Sequence, residues 1–369
     1  MKILLHGPYG GFNLGDDAIA DVLASRLEQA GAEVFFSSPV SQATRYLGRK
    51  TLPAPNLRAG RLGTLRNLRE FDAVVIGGGE QISEPRVPNP IWGHLATATH
   101  LTLAARVHGV PAAWFAVGVD DHISILGRAM IRFAGARLRY ASVRDKASLA
   151  RLSNMVEKVT LGADPVFLED ATPRRPSNEN VAASFDISGD PGGIVLIIPT
   201  NDRFHSLDYL NVLRSVSNRM AGLGMRIYYA VSDLQPEYDI RIMRENLLPT
   251  SSRQSWVPPG YDWQCLRGMI AAASCVISSR MHPLIAAVNS GVPFYCIARS
   301  AKMVSLMSEL DWTWWSRIDR LEPDVMCRFV ELHARSPKSV HTAPANAAQI
   351  RLRAARQFDE LLHALAGPM

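Results

Sequence analysis

The chain has 369 residues, 47% of them hydrophobic and 20% charged, a composition that predicts packed cores and excludes a disordered chain or a collagen-like fibre. Forty basic and thirty-four acidic residues give a net charge of +6, too small and too dispersed to indicate a nucleic-acid-binding protein. No apolar run predicts a secretory signal or a membrane span. The four cysteines form no CxxC pair, so we expect neither a disulfide framework nor a metal site. We expect a soluble, cytoplasmic protein.

The first half of the chain alternates short buried strands with helical patterns. Strands are predicted at residues 2–6, 34–36, 73–76, 112–117 and 139–143, with a helix after the first of them. Continuous apolar runs bounded by glycine, with helices between them, indicate a parallel sheet covered on both faces. We therefore expect a doubly wound, Rossmann-like α/β domain over residues 1–175.

The second half repeats this alternation after a stretch rich in Pro, Ser, Asn and Gly at residues 171–193. Strands are predicted at 194–198, 225–231, 275–278 and 294–297, and helices at 207–220, 236–247 and 284–290. This pattern predicts a second Rossmann-like domain over 190–345 and a C-terminal helix over 346–369. Two such domains are expected to face a cleft, and ligands of open α/β sheets bind at the carboxyl ends of the strands.

Two glycine-rich segments follow predicted strands of the first domain. The first runs from Gly7 to Ala18, and its glycine spacing matches neither a dinucleotide-binding fingerprint nor a P-loop. It is either an anion-binding helix N-terminus or a tight turn capped by an aspartate, and spacing alone leaves both open. The second is Gly77–Gly79 followed by Glu80, which predicts a close approach of the backbone to another group.

The residues that carry the most chemistry follow the strand predicted at 275–278. Arg280 and His282 are expected at the carboxyl edge of the second sheet, with Pro283 at the first position of a helix. A guanidinium binds a phosphate or carboxylate through two hydrogen bonds, and an imidazole transfers protons near neutral pH. A surface arginine beside a capping histidine is the alternative for this motif alone.

Two further cationic side chains follow predicted strands. Lys302 comes after the strand at 294–297 and could reach the same edge as Arg280. Arg144 ends a strand of the first domain, where an ion pair with Asp145 is the simpler explanation without further support.

A basic run with no acidic residue lies between Val34 and Arg69. It suits a phosphate-bearing acceptor or an anionic membrane leaflet, and a solvated loop explains it equally well. Its members are Arg45, Arg49, Lys50, Arg58, Arg61, Arg66 and Arg69.

Taken together, these motifs resemble the polysaccharide pyruvyl transferase family, whose order they follow over about residues 1–310. The matching segments are Tyr9, Asn13–Ala18, Asp72–Gly79, Ser142–Asp145, Asp164–Val166, Arg280–Pro293 and Lys302.

The resemblance implies a two-domain fold of glycosyltransferase-B type, with an acceptor side in the first domain and a donor side in the second. It implies phosphoenolpyruvate as co-substrate and a glycan or lipid-linked oligosaccharide as acceptor, which becomes a pyruvate ketal as phosphate is released. No metal and no other cofactor is expected, and contact with the inner face of the membrane is compatible with a lipid-linked acceptor.

The resemblance also implies roles for particular residues. Donor binding falls to Arg144, Arg280, Met281 and His282, one arginine coming from each domain. His282 is the candidate for proton transfer, and Lys302 for stabilising the departing phosphate. The residues expected on the acceptor side are Asn13, Asp16, Gly78, Gly79, Glu80 and His122.

The sequence departs from the family's pattern at two places, both on the expected acceptor side. These are Glu80-Gln81-Ile82 after the triple glycine and Gly118–His122. Two alternatives stay open: a nucleotide-sugar glycosyltransferase of the same architecture and a non-catalytic glycan-binding relative. The first would need acidic residues that hold a ribose in the second domain, and the sequence shows no pair placed for that role. Intact Arg144, Arg280, His282 and Lys302 argue against the second.

Overall fold

The computed structural model describes residues 1–39, 49–60, 62–170, 193–201, 206–334 and 344–367. Contacts divide the chain into two compact units. The first unit comprises Met1–Phe12, Asp16–Leu168 and Ile350–Met369, and the second comprises Asn13–Gly15 and Glu169–Gln349.

The first unit contains a parallel sheet of seven strands. The strands are β1 (Lys2–His6), β2 (Glu33–Ser38), β3 (Thr51–Pro53), β4 (Ala73–Gly77), β5 (Ala112–Val117), β6 (Tyr140–Val143) and β7 (Thr160–Leu161). Their order is β3-β2-β1-β4-β5-β6-β7, so the strand order reverses between β1 and β4. The helices are α1 (Leu14–Gln29), α2 (Gly63–Arg66), α3 (His94–Val107), α4 (Ile125–Gly135) and α5 (Lys146–Leu152), with 3₁₀ turns at Leu68–Glu70 and Pro165–Leu168.

The second unit contains a parallel sheet of six strands. These are β8 (Ile194–Ile198), β9 (Arg226–Tyr229), β10 (Gln254–Trp256), β11 (Cys275–Ser278), β12 (Phe294–Ala298) and β13 (Trp315–Arg317), in the order β10-β9-β8-β11-β12-β13. The strand order reverses between β8 and β11. The helices are α6 (Ser206–Gly222), α7 (Arg241–Asn246), α8 (Trp263–Ala272), α9 (Met281–Ser290), α10 (Ala301–Leu310) and α11 (Pro323–Ala334), with a π-helical turn at Pro236–Ile240.

The C-terminal helix α12 comprises Ala347–Ala366, and most of it belongs to the first unit. Its contacts with this unit include a buried polar one. The Gln357 carboxamide donates to Ser142 Oγ at 2.7 Å and accepts from the Ala163 N–H at 2.9 Å. The first unit therefore combines the chain up to Leu168, apart from Asn13–Gly15, with the C-terminal residues from Ile350 onwards.

Both sheets confirm the doubly wound α/β fold expected from the strand pattern. Five strands are buried along all or nearly all of their length, as expected where helices cover both faces of a sheet. They are β1, β4, β5, β8 and β12. The strands that the sequence did not indicate are β3, β7, β10 and β13, which have two or three residues each. Strands this short carry no recognisable periodicity.

Two helix boundaries differ from the prediction. Helix α9 begins at Met281, so Pro283 is its third residue rather than its first; proline is tolerated there because the first turn's N–H groups have no partner within the helix. The helix expected over 236–247 is instead a π-helical turn followed by α7, and the backbone leaves helical geometry at Tyr238.

Among the described residues, no helix is long and apolar enough to cross a membrane.

The described part of the basic run is partly neutralised. Arg49 donates hydrogen bonds to both carboxylate oxygens of Glu28 at 2.7 and 2.8 Å, and Lys50 pairs with Glu33 at 3.4 Å. Arg45 and Arg61 lie outside the described residues.

Candidate functional site

The second unit brings Arg280 to the point where its strand order reverses. Arg280 follows β11 and is the N-terminal cap of α9. Its guanidinium donates from Nε and Nη2 to the carboxylate of Asp239, at 3.0 Å to Oδ2 and 2.6 Å to Oδ1. This is a two-pronged ion pair, and the Asp239 side chain is fully buried. Arg280, predicted as an anion anchor, is therefore held in a fixed orientation by a carboxylate of its own unit.

Asp239 also ties together the loops that follow two other strands. It accepts a hydrogen bond from the N–H of Asn201, after β8, at 2.8 Å, and one from the N–H of Asp233, after β9, at 3.2 Å. Three strand ends thus converge on one carboxylate. Asp239 is not among the site residues that the sequence predicts, because the sequence pattern indicates a regular helix over 236–247.

A second carboxylate, Asp233, lies near the same guanidinium. Its Oδ2 is 3.7 Å from Arg280 Nη2. Burial raises the pKa of Asp233, while the charges of Arg280 and Arg299 act in the opposite direction. An acidic pair therefore stands at this edge, and it is directed at Arg280. The signal that could have found it is the presence of acidic residues shortly after the end of β9.

The segment Asn13–Gly15 lies beside these residues in the second unit. The Leu14 N–H donates to the Ser232 carbonyl at 2.9 Å, and Asn13 forms an isolated antiparallel bridge with Asp233. Asn13 was expected on the acceptor side, but the structure places it with Arg280 and His282, the predicted donor residues.

Gly15 packs directly against the side chain of His282, so a larger residue does not fit at this position. A Cβ built on Gly15 would overlap the imidazole of His282, whose Cγ and Cε1 would both be 2.9 Å away. His282 is half-buried in the first turn of α9, next to Met281. The absent side chain at Gly15 therefore makes room for the imidazole ring.

Lys302 belongs to the neighbouring strand connection. It is the second residue of α10, which follows β12, and β12 pairs with β11. Lys302 is half-buried. The topology thus puts Arg280, His282 and Lys302 after two adjacent strands of one sheet.

In the first unit, the two glycine-rich segments meet where β1 and β4 end. Tyr9 donates from its hydroxyl to the Gly77 carbonyl at 2.6 Å, and Asp17 accepts from the Gly10 N–H at 2.7 Å. Gly78 has a φ of +64° and abuts the side chain of Ile19. The close approach expected at the triple glycine is therefore made, at Gly78, by a residue of α1.

Gly79 brings two polar side chains of the first unit together. A Cβ on Gly79 would be 3.5 Å from both Asp16 Oδ1 and Gln81 Nε2. Gln81 is completely buried, and neither atom of its carboxamide has a hydrogen-bond partner among the described residues. A buried amide without partners costs about 1–3 kcal/mol, so Gln81 is the strongest indication of a ligand-binding position in this unit.

Histidines also lie near this strand end. His6, at the end of β1, is buried, and its Nδ1 lies 2.9 Å from the Ser37 carbonyl, to which it donates. Burial, with the nearby His94 imidazole acting in the same direction, lowers the pKa of His6 to about 4, so the ring is neutral at pH 7. Glu80 and His122 are exposed.

Arg144, the other predicted donor residue, belongs to the first unit. It is nearly buried, and Nη1 is 3.1 Å from Asp164 Oδ2, while Nε is 3.9 Å from Asp145 Oδ2. Gly118 leaves space beside it, since a Cβ there would be 3.1 Å from Nη2. The ion pair expected with Asp145 is thus secondary to one with Asp164.

No cluster of three or more His, Cys, Asp or Glu side chains suitable for a metal ion occurs within the described ranges.

Solved structures define the class of fold. The UDP-GlcNAc 2-epimerase of Methanocaldococcus jannaschii matches with a TM-score of 0.62 at 13% identity, covering 97% of this chain and 99% of that one. Anabaena HepE in complex with UDP and glucose matches with a TM-score of 0.62 at 12% identity, covering 99% of each chain. The calicheamicin glycosyltransferase CalG4 matches with 0.54 at 13% identity, covering 100% and 99%. The chain has the two-domain fold of glycosyltransferase-B proteins and their epimerase relatives.

The sequence assigns the chain more narrowly. The family model for polysaccharide pyruvyl transferases matches residues 13–301, which include Asn13, Arg144, Arg280 and His282. The protein belongs to the polysaccharide pyruvyl transferase family. No curated protein matches the chain.

Proposed function

We propose that this protein transfers the pyruvyl group of phosphoenolpyruvate to a sugar of a polysaccharide or glycan precursor, forming a pyruvate ketal and releasing phosphate. The observation that carries the proposal is that the family match contains the Arg280–Met281–His282 motif, and that this motif lies where the second sheet reverses its strand order. Ligands of open α/β sheets bind at that point.

The reaction requires two hydroxyl groups of the acceptor. A proton is added to C3 of the enol as the first hydroxyl oxygen bonds to C2 and loses its proton. The second hydroxyl oxygen then bonds to C2, the C2–O bond to phosphate breaks, and the second hydroxyl proton leaves. The product carries two C–O bonds from C2 to the sugar, and inorganic phosphate is released.

The residues of the second unit suit the donor in this reaction. We assign Arg280 to the anionic groups of phosphoenolpyruvate, because a guanidinium held in one plane by Asp239 offers its other N–H donors in a fixed direction. His282 is assigned to proton transfer, and Lys302 to stabilising charge on the departing phosphate. Met281 would contact the donor beside them, and Arg144 would supply a second cation.

For the acceptor, we propose the polar residues where β1 and β4 end in the first unit. Asp16, Gly79 and Gln81 lie together there, and sugar hydroxyl groups can both donate to and accept from a carboxamide. Gly78 and Glu80 flank them in sequence. The roles of Asn13 and His122 at the acceptor stay predictions: Asn13 belongs to the second unit, and His122 is exposed.

The test is direct. The protein is incubated with phosphoenolpyruvate and candidate glycans, and phosphate release is followed together with the mass of the glycan. We expect stoichiometric phosphate and ketal formation. Arg280→Ala should weaken donor binding, whereas His282→Ala should lower turnover by ~10²–10⁴ at nearly unchanged donor binding.

Donor binding alone separates this proposal from a nucleotide-sugar glycosyltransferase. A ligand that binds only the folded state raises its thermal stability. Phosphoenolpyruvate should stabilise the protein and UDP-sugars should not. Stabilisation by a UDP-sugar alone, with no response to phosphoenolpyruvate, would refute the proposed donor.

A further inference from the structure

Helix α4 of the first unit exposes a continuous apolar face. Ile125, Leu126 and Phe133 are 87%, 42% and 53% exposed, and Ala129 and Ala136 between and beyond them are also exposed. At 100° per residue these five side chains fall within about 100° of each other around the helix axis. We call this surface the α4 face. Single exposed apolar residues are common, but a contiguous stripe of this kind marks an interaction surface.

Arginines border the α4 face on both sides. Arg128 and Arg132 lie along one flank and are exposed, while Arg137 lies on the other. The guanidinium of Arg137 is 3.8 Å from the centroid of the Phe133 ring, so its charge is held at the edge of the apolar stripe. No acidic residue occurs between Ile123 and Arg144.

A cavity adjoins the C-terminal end of this face. Its volume is about 530 Å³, and Arg132, Gly135 and Ala136 of α4 form part of its wall. Arg139 and Lys158 also line it, and Glu157 is the one acidic residue among those lining it. A basic cavity of this size suits the phosphate-bearing headgroup of a lipid.

The acidic residues near the other end of α4 are engaged in structural contacts. Glu84 accepts hydrogen bonds from the N–H and hydroxyl of Ser124, at 2.6 and 2.9 Å, and Ser124 caps the helix by accepting from the Gly127 N–H. Asp121 pairs with Arg151. Their charge does not lie along the apolar stripe.

We propose that the α4 face docks onto an anionic membrane surface, with its apolar side chains at the headgroup boundary and its arginines among lipid phosphates. An apolar stripe bordered by cations is the pattern of helices that lie in the membrane interface. The long arginine side chains can extend sideways to phosphates while their methylene groups stay on the apolar side. The proposal concerns where the protein is located, and it is independent of the reaction proposed above.

Charge favours a membrane over a second copy of the chain. Pairing two α4 faces would bring the arginines that border one face, Arg128, Arg132 and Arg137, close to those that border the other. An anionic leaflet is complementary to all three, and each basic residue near such a surface strengthens binding about fivefold.

The basic run between Val34 and Arg69 is a weaker candidate for this contact. Arg49 and Lys50 are paired with acidic residues, and Arg58 lies 5.9 Å from the ring of Trp92. The run presents no apolar stripe in its described part that compares with the α4 face.

The test is sedimentation with vesicles of phosphatidylcholine, with and without phosphatidylglycerol, at low and high salt. We expect binding only to the vesicles that contain phosphatidylglycerol, and weaker binding at high salt. Arg128→Glu/Arg132→Glu should reduce binding at least twentyfold, roughly the product of two fivefold losses before any repulsion. Ile125→Gln/Phe133→Gln should reduce it about tenfold.

Two control variants make the same changes in net charge and in apolar side chains as the α4 variants, but at exposed positions outside the α4 face. Arg244→Glu/Arg320→Glu exchanges two exposed arginines of the second unit and lowers the net charge from +6 to +2, as the α4 charge variant does. Leu248→Gln/Leu352→Gln removes two side chains that are 56% and 59% exposed. Both controls should bind vesicles like the unchanged protein.

Three results would overturn the proposal. One is the absence of binding to anionic vesicles; another is an equal loss in the control variants. The third is a concentration-dependent dimer that Ile125→Gln/Phe133→Gln disrupts while vesicle binding persists, which would assign the face to a second copy. The thermal stability of each variant, which should change little at exposed positions, guards against misfolding as the cause.

Discussion

Arg280 and Asp239 form a two-pronged ion pair in the second unit, with Nη2–Oδ1 at 2.6 Å and Nε–Oδ2 at 3.0 Å. The Asp239 side chain is fully buried, whereas the Arg280 side chain retains 13% exposure. We infer that Asp239 positions Arg280, and that it does so by joining three strand-end loops rather than by touching the substrate.

Asp239→Asn tests that role. Losing one partner of a buried pair costs about 3–5 kcal/mol, and we expect the lower end because Asp233 is still near Arg280. The KM for phosphoenolpyruvate should rise more than kcat falls, and Asp239→Glu should restore part of the loss. If Asp239 merely neutralised Arg280, removing its charge would instead lower the KM. Asp319→Asn, at an exposed pair with Arg317, is the control and should leave the midpoint of urea unfolding almost unchanged.

Gly15→Ala should impair catalysis without removing any functional group. The new Cβ overlaps the imidazole of His282 and must displace it, and a misplacement of about 1 Å can cost ~10²-fold in rate. We expect kcat to fall by about that factor while phosphoenolpyruvate still raises the thermal stability. Gly222→Ala, where a Cβ meets nothing within 4 Å, should leave kcat unchanged. Normal turnover in Gly15→Ala would show that the position of His282 is unimportant.

Gln81→Met separates a ligand contact from a packing role. The substitution keeps the shape of the side chain and removes two buried polar atoms that lack partners among the described residues. The free energy of unfolding should therefore increase, by about 1–3 kcal/mol. If Gln81 binds the acceptor, the KM for the glycan should rise at the same time, with donor binding unaffected. A more stable protein with an unchanged acceptor KM would assign Gln81 to packing alone.

His6 predicts a specific loss of stability in acid. Its pKa is lowered from 6.5 to about 4 in the folded protein, so the folded state favours the neutral ring. The resulting contribution to stability is complete above pH 6.5 and is lost as the pH falls from 6.5 towards 4, amounting to about 3 kcal/mol.

His6→Asn should flatten this part of the pH profile. Asn can still donate a hydrogen bond to the Ser37 carbonyl but does not titrate. Urea unfolding between pH 4 and pH 7 measures the difference between the two proteins.

Much of the fold follows from local sequence patterns. Buried strands such as β1, β5, β8 and β11 were predicted within one residue of their observed bounds, because their apolar runs and flanking glycines are local signals. Strands β7 and β10 were not, because two or three residues at a sheet edge are defined by their partner strand and not by their own pattern.

The sequence by itself determined the doubly wound α/β class, the family, and the placement of Arg280, His282 and Lys302 after adjacent strands. Only the tertiary structure decided which groups those residues meet. Arg280 pairs with Asp239, and His282 packs against Gly15, because the strand order brings loops that are distant in sequence to one edge of a sheet. That strand order is set by long-range packing. Residue type and spacing state what a side chain can do, whereas its partners depend on contacts between segments that are far apart in the chain.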